Sequence, residues 1–197
     1  MSPRLFAICM FAGKIMLLSA TGSLAQGYEF DVDERYTGGA PRSEVYRRYN
    51  MSPVRRTTVY FQTNEKPGTI IINTRERRLY YVLGDGRAIR YGIGVGRDGF
   101  TWRGEKTVTA MREWPGWTPP PQMRKRQPYL PHYMPGGIEN PLGARAMYLG
   151  STLYRIHGSN EPETIGQAVS SGCFRMTNDD VIDLYNRVQV GTRVVVL

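Results

Sequence analysis

The chain has 197 residues, a formal net charge of +9 at pH 7, 41% hydrophobic residues and two cysteines, Cys9 and Cys173. That length suits one domain with a sizeable core plus an arm or linker, and argues against two full domains. The positive charge favours an anionic neighbour such as cell wall, membrane surface or acidic substrate, while arginines scattered singly and in pairs, without a recognition-helix or RNA-binding pattern, argue against nucleic acid.

Residues 1–25 carry Arg4, apolar runs and Ser23-Leu24-Ala25, a small-x-small cleavage pattern, and read as a secretory signal peptide. Lys14 divides the apolar core, and no run reaches the roughly 20 apolar residues of a membrane span, so no span is expected in the mature chain. Cleavage after Ala25 removes Arg4, Lys14 and Cys9, takes the formal charge from +9 to +7 and leaves Cys173 as the only thiol. Residues 26–54 mix charges with Gly38-Gly39, two prolines and isolated tyrosines, and read as a linker or loosely packed arm.

The texture changes in residues 55–197. "TTVYFQT", "GTIIINT" and "RRLYYVL" are β-branched and aromatic runs, and "GDGRAIRYGIGVG" follows through a Gly84-Asp85-Gly86 turn, so at least one pair forms a hairpin. "EKTVTAMREW", "ARAMYLG", "TLYRIHG" and the terminal "GTRVVVL" are further strands, and the domain is mostly β. Residues 113–143 between them are dense in proline, glycine and aromatics. They read as a lid loop that packs on the sheet and borders a cleft, with Trp114, Trp117, Tyr129 and Tyr133 too apolar to be left fully in water. One helix is well specified after Thr177: Thr177 and Asp180 resemble a capping box, Asp179 and Asp180 suit the helix dipole, and Val181, Leu184, Tyr185 and Val188 share a face. A shorter helix is expected over 163–168, weakened by Gly166.

Cys173 stands between Gly172 and a polar stretch, with no disulfide partner once Cys9 is gone. An unpaired cysteine in an oxidising compartment is a liability unless its reactivity is used; a small buried hydrophobe is the alternative. A thiol becomes a nucleophile beside a base and oxyanion-directed donors. His157 ends a strand and is followed by Gly158, whereas His132 lies in the proline-rich loop without such a setting. Gly172 permits a sharp turn, so the N–H groups of Gly172 and Cys173 are candidates for an oxyanion hole. Arg175 falls on the side of Cys173 if the segment is extended; it either favours the thiolate or grips a carboxylate, or pairs with Asp179 or Asp180 on the surface. Ser159 is an orienting candidate for the His157 ring, with a backbone carbonyl as the alternative. Two histidines and one cysteine at these spacings make no zinc site, and no cofactor is expected.

The stretch from His157-Gly158 through Ile165-Gly166 to Ser170-Ser171-Gly172-Cys173-Phe174-Arg175-Met176, then Asn178, Asp180 and Gly191-Thr192-Arg193-Val194, resembles the catalytic motif of L,D-transpeptidases with the YkuD-type domain. Pro67 to Ile70, Tyr91 to Gly96 and Asn140-Pro141-Leu142-Gly143 extend the likeness over most of 55–197. The resemblance implies a YkuD-like β-sandwich with one or two short helices and a periplasmic enzyme of the cell wall. By that likeness Cys173 attacks the bond between diaminopimelate and D-alanine of a peptidoglycan tetrapeptide stem, with His157 as base and then acid. Gly158, Ser159, Ser171 and Gly172 serve orientation or the oxyanion; Arg175, Ser170 and Tyr154 serve substrate binding. The acyl group passes to an amine: another stem gives a crosslink, an outer-membrane protein or lipoprotein gives anchoring, and water makes an L,D-carboxypeptidase. Most members have Ser-His-Gly-Cys where this chain has Ser170-Ser171-Gly172-Cys173, which leaves the base role to His157 alone. Another cysteine peptidase and a non-catalytic wall-binding module are the rival readings.

Overall fold

The computed structural model describes residues 52–197. The expected signal peptide and nearly all of the arm therefore lie outside the described residues. Eleven strands follow in chain order: β1 Thr57–Tyr60, β2 Ile70–Asn73, β3 Arg78–Gly84, β4 Arg87–Gly92, β5 Val95–Gly96, β6 Gly104–Glu113, β7 Arg145–Leu149, β8 Arg155–His157, β9 Ala168–Ser170, β10 Phe174–Arg175 and β11 Arg193–Val196. Two short α-helices, α1 Pro121–Arg126 and α2 Asn178–Tyr185, complete the described elements with a 3₁₀ turn at Pro162–Thr164. The domain is mostly β, as its β-branched and aromatic runs dictate.

Nine strands form one mixed sheet in the order β1-β4-β3-β2-β11-β6-β7-β8-β10, and β5 pairs with β9 separately. The β3–β4 hairpin closes on Asp85-Gly86, both at positive φ, a two-residue turn whose twist matches its strands. The ten-residue β6 is where the sheet turns over. Its first half pairs with β11, its second half pairs with β7, and the register shifts between Val108 and Ala110. A strand that changes partners through such an irregularity makes the corner between two packed layers. The far side is tied by mutual backbone hydrogen bonds between Gly94 and Arg175, at 2.8 and 2.9 Å.

Period-two alternation fills the space between. Ile70 and Ile72 of β2 join Leu79, Tyr91, Met147, Leu149, Ile156 and Phe174 in one buried cluster, while Ile71 between them joins Tyr80, Val82 and Ala88 on the opposite face. Each such buried aliphatic side chain contributes about 1.5–3 kcal/mol. Helix α2 adds Val181 and Leu184 to the main cluster. Thr177 caps α2, its hydroxyl accepting from the Asp180 N–H at 3.3 Å. The helix stops at Tyr185, so Val188 reaches the core from the following turn rather than from the helix.

Three expectations change here. The segment expected to be helical over 163–168 is only the 3₁₀ turn, ended by Gly166 at φ +89°. The proline-rich loop contains α1, a helix opened by Pro121, whose fixed φ suits a first turn. Its aromatics also divide: Trp114 and Trp117 are half-buried, but Tyr129 and Tyr133 are 79% and 61% exposed. The amphipathic phenol tolerates water better than the sequence argument assumed. Asn140 closes the base of the loop, its side-chain amide donating to the carbonyls of Pro115, Met134 and Pro135.

Candidate active site

Two short parallel strands build the site. In the β8–β10 pair, Ile156 lies opposite Phe174 and His157 opposite Arg175. Paired residues share a face and side chains alternate along each strand. Ile156 and Phe174 therefore turn inward, where both are buried, and His157 and Arg175 share the opposite face with Arg155 and Cys173. Sequence reading brought together Cys173, His157 and Arg175; it missed Arg155, although "RIH" on a strand places Arg155 and His157 on one face by alternation alone.

The turn that delivers Cys173 is clipped from inside. The Ser170 hydroxyl accepts from the Gly172 N–H at 3.2 Å and donates to the Cys173 carbonyl at 2.7 Å. Gly172 sits at φ +105°, and a Cβ there would lie 2.6 Å from Tyr154 Cε1 and 3.0 Å from the Phe100 carbonyl oxygen. Only glycine meets both conditions at low cost. Trp102 underlies this turn, stacked on Tyr154 with ring centroids 4.8 Å apart and donating its indole N–H to the Gly172 carbonyl at 3.1 Å. Ser170 and Tyr154, expected to bind substrate, thus make contacts that shape the turn. The Gly172 amide, expected in an oxyanion hole, is engaged by Ser170. Ser171 is exposed.

His157 is buried, and its Nδ1 lies 2.6 Å from the Gly158 carbonyl oxygen. A carbonyl can only accept, so Nδ1 carries the proton and, in the neutral ring, Nε2 keeps its lone pair. Burial holds the imidazole pKa down to about 3; the cations of Arg175 and Arg155 act in the same direction, against the Gly158 bond. Burial also pushes the half-buried Cys173 thiol above its ordinary range, against the nearby Arg155 backbone and guanidinium and the charge of Arg175. The thiol lies 3.6 Å from the Leu153 carbonyl oxygen, to which it donates. At neutral pH the imidazole is uncharged, with a lone pair on Nε2 able to accept a proton.

Ser159 is buried with its hydroxyl accepting from the Glu161 N–H at 3.0 Å, and the group that meets His157 Nδ1 is the Gly158 carbonyl. Gly158 is itself wedged in place: a Cβ on it would lie 2.4 Å from Asn178 Oδ1 and 3.2 Å from Gly143 Cα. Asn178, at the start of α2, accepts from the buried Ala144 N–H at 2.9 Å. Asn178 and Gly143 entered the sequence reading only as parts of a motif; two backbones crossing at glycines give no local periodic signal.

Arg175 pairs with Glu161 at 3.1 Å, not with Asp179 or Asp180. Its side chain is 13% exposed, and Nε and Nη2 are buried without a hydrogen-bond partner. Asp180 is taken by Arg56 at 3.2 Å instead. His132 is exposed in the loop, in contact with Arg124. Among the described residues, no three or more His, Cys, Asp or Glu side chains converge on a possible metal site, and no helix is long and apolar enough to cross a membrane.

Fold and site together define a class: a mostly β domain that presents a thiol, a neutral imidazole and two guanidinium groups on one face of a parallel strand pair. Residues 67–196 match the YkuD family, described as the L,D-transpeptidase catalytic domain. The chain belongs to this family. It is 42% identical over 137 residues to the "Probable L,D-transpeptidase ErfK/SrfK" of Escherichia coli strain K12, a match covering 65% of this chain and 43% of that one. The chain thus spans less than half the length of that curated relative. A crystal structure from Brucella melitensis, described as "a Probable carnitine operon oxidoreductase caia", is 48% identical with a TM-score of 0.51, covering 75% of this chain and 96% of that one. An L,D-transpeptidase from Mycobacterium smegmatis shares the fold at 18% identity and a TM-score of 0.50, covering 66% of this chain and 58% of that one.

Proposed function

We propose that the protein is a peptidoglycan L,D-transpeptidase of the periplasm that works through a Cys173 acyl-enzyme. The observation that carries this reading is the β8–β10 register, which gives Cys173, His157 and Arg175 a common face, with the His157 lone pair left free by the Gly158 carbonyl. His157 Nε2 takes the thiol proton as sulfur attacks the carbonyl that joins the L-centre of diaminopimelate to D-alanine. The C–N bond breaks, and the imidazolium returns its proton to the departing D-alanine amine. An amine then attacks the thioester, is deprotonated by His157, and leaves with the acyl group; a second stem gives a crosslink, and a protein amine gives anchoring. The oxyanion role falls to the Cys173 amide, since the Gly172 amide is held by Ser170. Arg175, with donors to spare, suits a stem carboxylate.

The test is product analysis after incubation with purified disaccharide tetrapeptides. Loss of terminal D-alanine with new dimers joined between diaminopimelate residues supports the proposal. Unchanged substrate, or cleavage of ordinary L,L-peptides instead, contradicts it.

A further inference from the structure

Arg155 stands beside the reacting sulfur. Its place on β8, one residue before Ile156, sets it beside Cys173, one residue before Phe174, on the face that both share with His157. Its backbone and its guanidinium both lie near enough to the sulfur to favour the ionised form, against burial. The guanidinium also lies over the Tyr148 ring, 5.1 Å from its centroid, a cation–π seat that restricts a long side chain before any substrate arrives. Its Nε is buried without a partner, so the head group is not turned out to solvent.

The chemistry of the pair creates a need that this residue meets. A neutral imidazole that takes the proton from a neutral thiol breaks S–H, forms N–H and leaves the electron pair on sulfur. The resulting thiolate sits in a partly buried setting where an uncompensated charge is costly. The charged groups acting on the sulfur are Arg155 on β8 and Arg175 on β10, with Glu161 acting through its pairing with Arg175; His157 shares their face by register, and Tyr154 packs against the neighbouring Gly172. Arg175 already spends one edge on Glu161, whereas Arg155 has no carboxylate partner among the described ion pairs.

The geometry points to Arg155 as a further catalytic residue, one whose guanidinium charge stabilises the nascent Cys173 thiolate while His157 carries the proton. This rests on the reading of Cys173 as the nucleophile. It is independent of which stem or acceptor is used.

The experiment compares wild type, Arg155→Gln and Arg155→Lys by the rate of Cys173 alkylation with iodoacetamide from pH 6 to 10.5, with circular dichroism to establish folding. Alkylation reads the thiolate and needs no peptidoglycan substrate. Arg155→Gln is expected to displace the rate profile to higher pH and to slow alkylation at pH 8 by about 10- to 100-fold, the range of a charge-assisted hydrogen bond. Arg155→Lys keeps the charge without the planar fork and is expected to fall between. In a Cys173→Ala background, Arg155→Gln is expected to leave tetrapeptide affinity within about threefold, which separates stabilisation of sulfur from substrate binding. Profiles that superimpose in every variant that folds overturn the assignment, as does a loss confined to tetrapeptide affinity. A shifted profile in a protein that never acylates on tetrapeptides keeps the Arg155 assignment and rejects the transpeptidase reading.

Discussion

Replacing Gly158 with alanine tests how the imidazole is held. The added methyl would lie 2.4 Å from Asn178 Oδ1 and 3.0 Å from the Ala144 nitrogen, two atoms already hydrogen-bonded to each other at 2.9 Å. Asn178 is buried and Gly143 Cα stands 3.2 Å away on the other side, so the neighbours have little room to yield. Overpacking of this kind costs about 1–3 kcal/mol, and loss of the buried Asn178–Ala144 bond about 1–3 kcal/mol more. The sum of about 2–6 kcal/mol corresponds to a Tm lowered by roughly 5–20 °C in a domain of this size. Turnover should fall further than stability, because the displaced Gly158 carbonyl is what fixes the His157 ring. Asn178→Ala alone orphans the Ala144 N–H and costs about 1–3 kcal/mol. It also removes the obstructing oxygen, so the double variant should be less destabilised than the two single changes added, by about 1 kcal/mol or more. Calorimetric melting of the four proteins measures both effects. Strict additivity, or a Gly158→Ala protein that melts with wild type, would refute the wedge.

Further outcomes follow from the same site. His157→Ala should lower turnover by about 10²–10⁴-fold in a steady-state assay, the usual contribution of a general base; normal turnover would remove it from the mechanism. Gly172→Ala places a methyl against Tyr154 and forces an L-residue to φ +105°; turnover should drop about 10²-fold or more as the thiol is displaced, and a loss under threefold would count against the clipped turn. Stability should also depend on pH through two opposing groups. Neutral His157, held down to about 3 mainly by burial, contributes stability that is complete above about 6.5 and lost as pH falls toward 3. Asp180, raised to about 6 by burial despite Arg56, contributes stability present below about 3.8 and lost as pH rises through 6. Between about pH 4 and 6 the two slopes oppose and nearly cancel, so their net contribution to the urea midpoint rises only weakly between about pH 4 and 6.5. His157→Gln should remove its part and lower that slope, and an unchanged slope would contradict burial of the neutral ring.

Local signals made much of this fold legible. Ile70 to Ile72, the Asp85-Gly86 turn and the Thr177 cap each state their structure within a few residues, and strands and helix lie where those signals put them. Cys173 and His157 were legible through spacing and through the glycine that follows or precedes each. What escaped depends on contacts between distant segments. Trp102 supports a turn 70 residues away, and Glu161 rather than a helix aspartate meets Arg175 because the 3₁₀ turn brings it there. Ser170 was read as a substrate contact, and nothing local announced that its hydroxyl would close its own turn. Arg155 differs, since alternation along β8 already placed it with His157.

The most direct test of the central claim is the intact mass of the protein after mixing with purified tetrapeptide muropeptides, for wild type and for Cys173→Ala. The account predicts a wild-type adduct equal to the donor less D-alanine, and none on the variant. An adduct of the same mass on Cys173→Ala, or crosslinked product formed by that variant, would contradict the claim that Cys173 carries the acyl group.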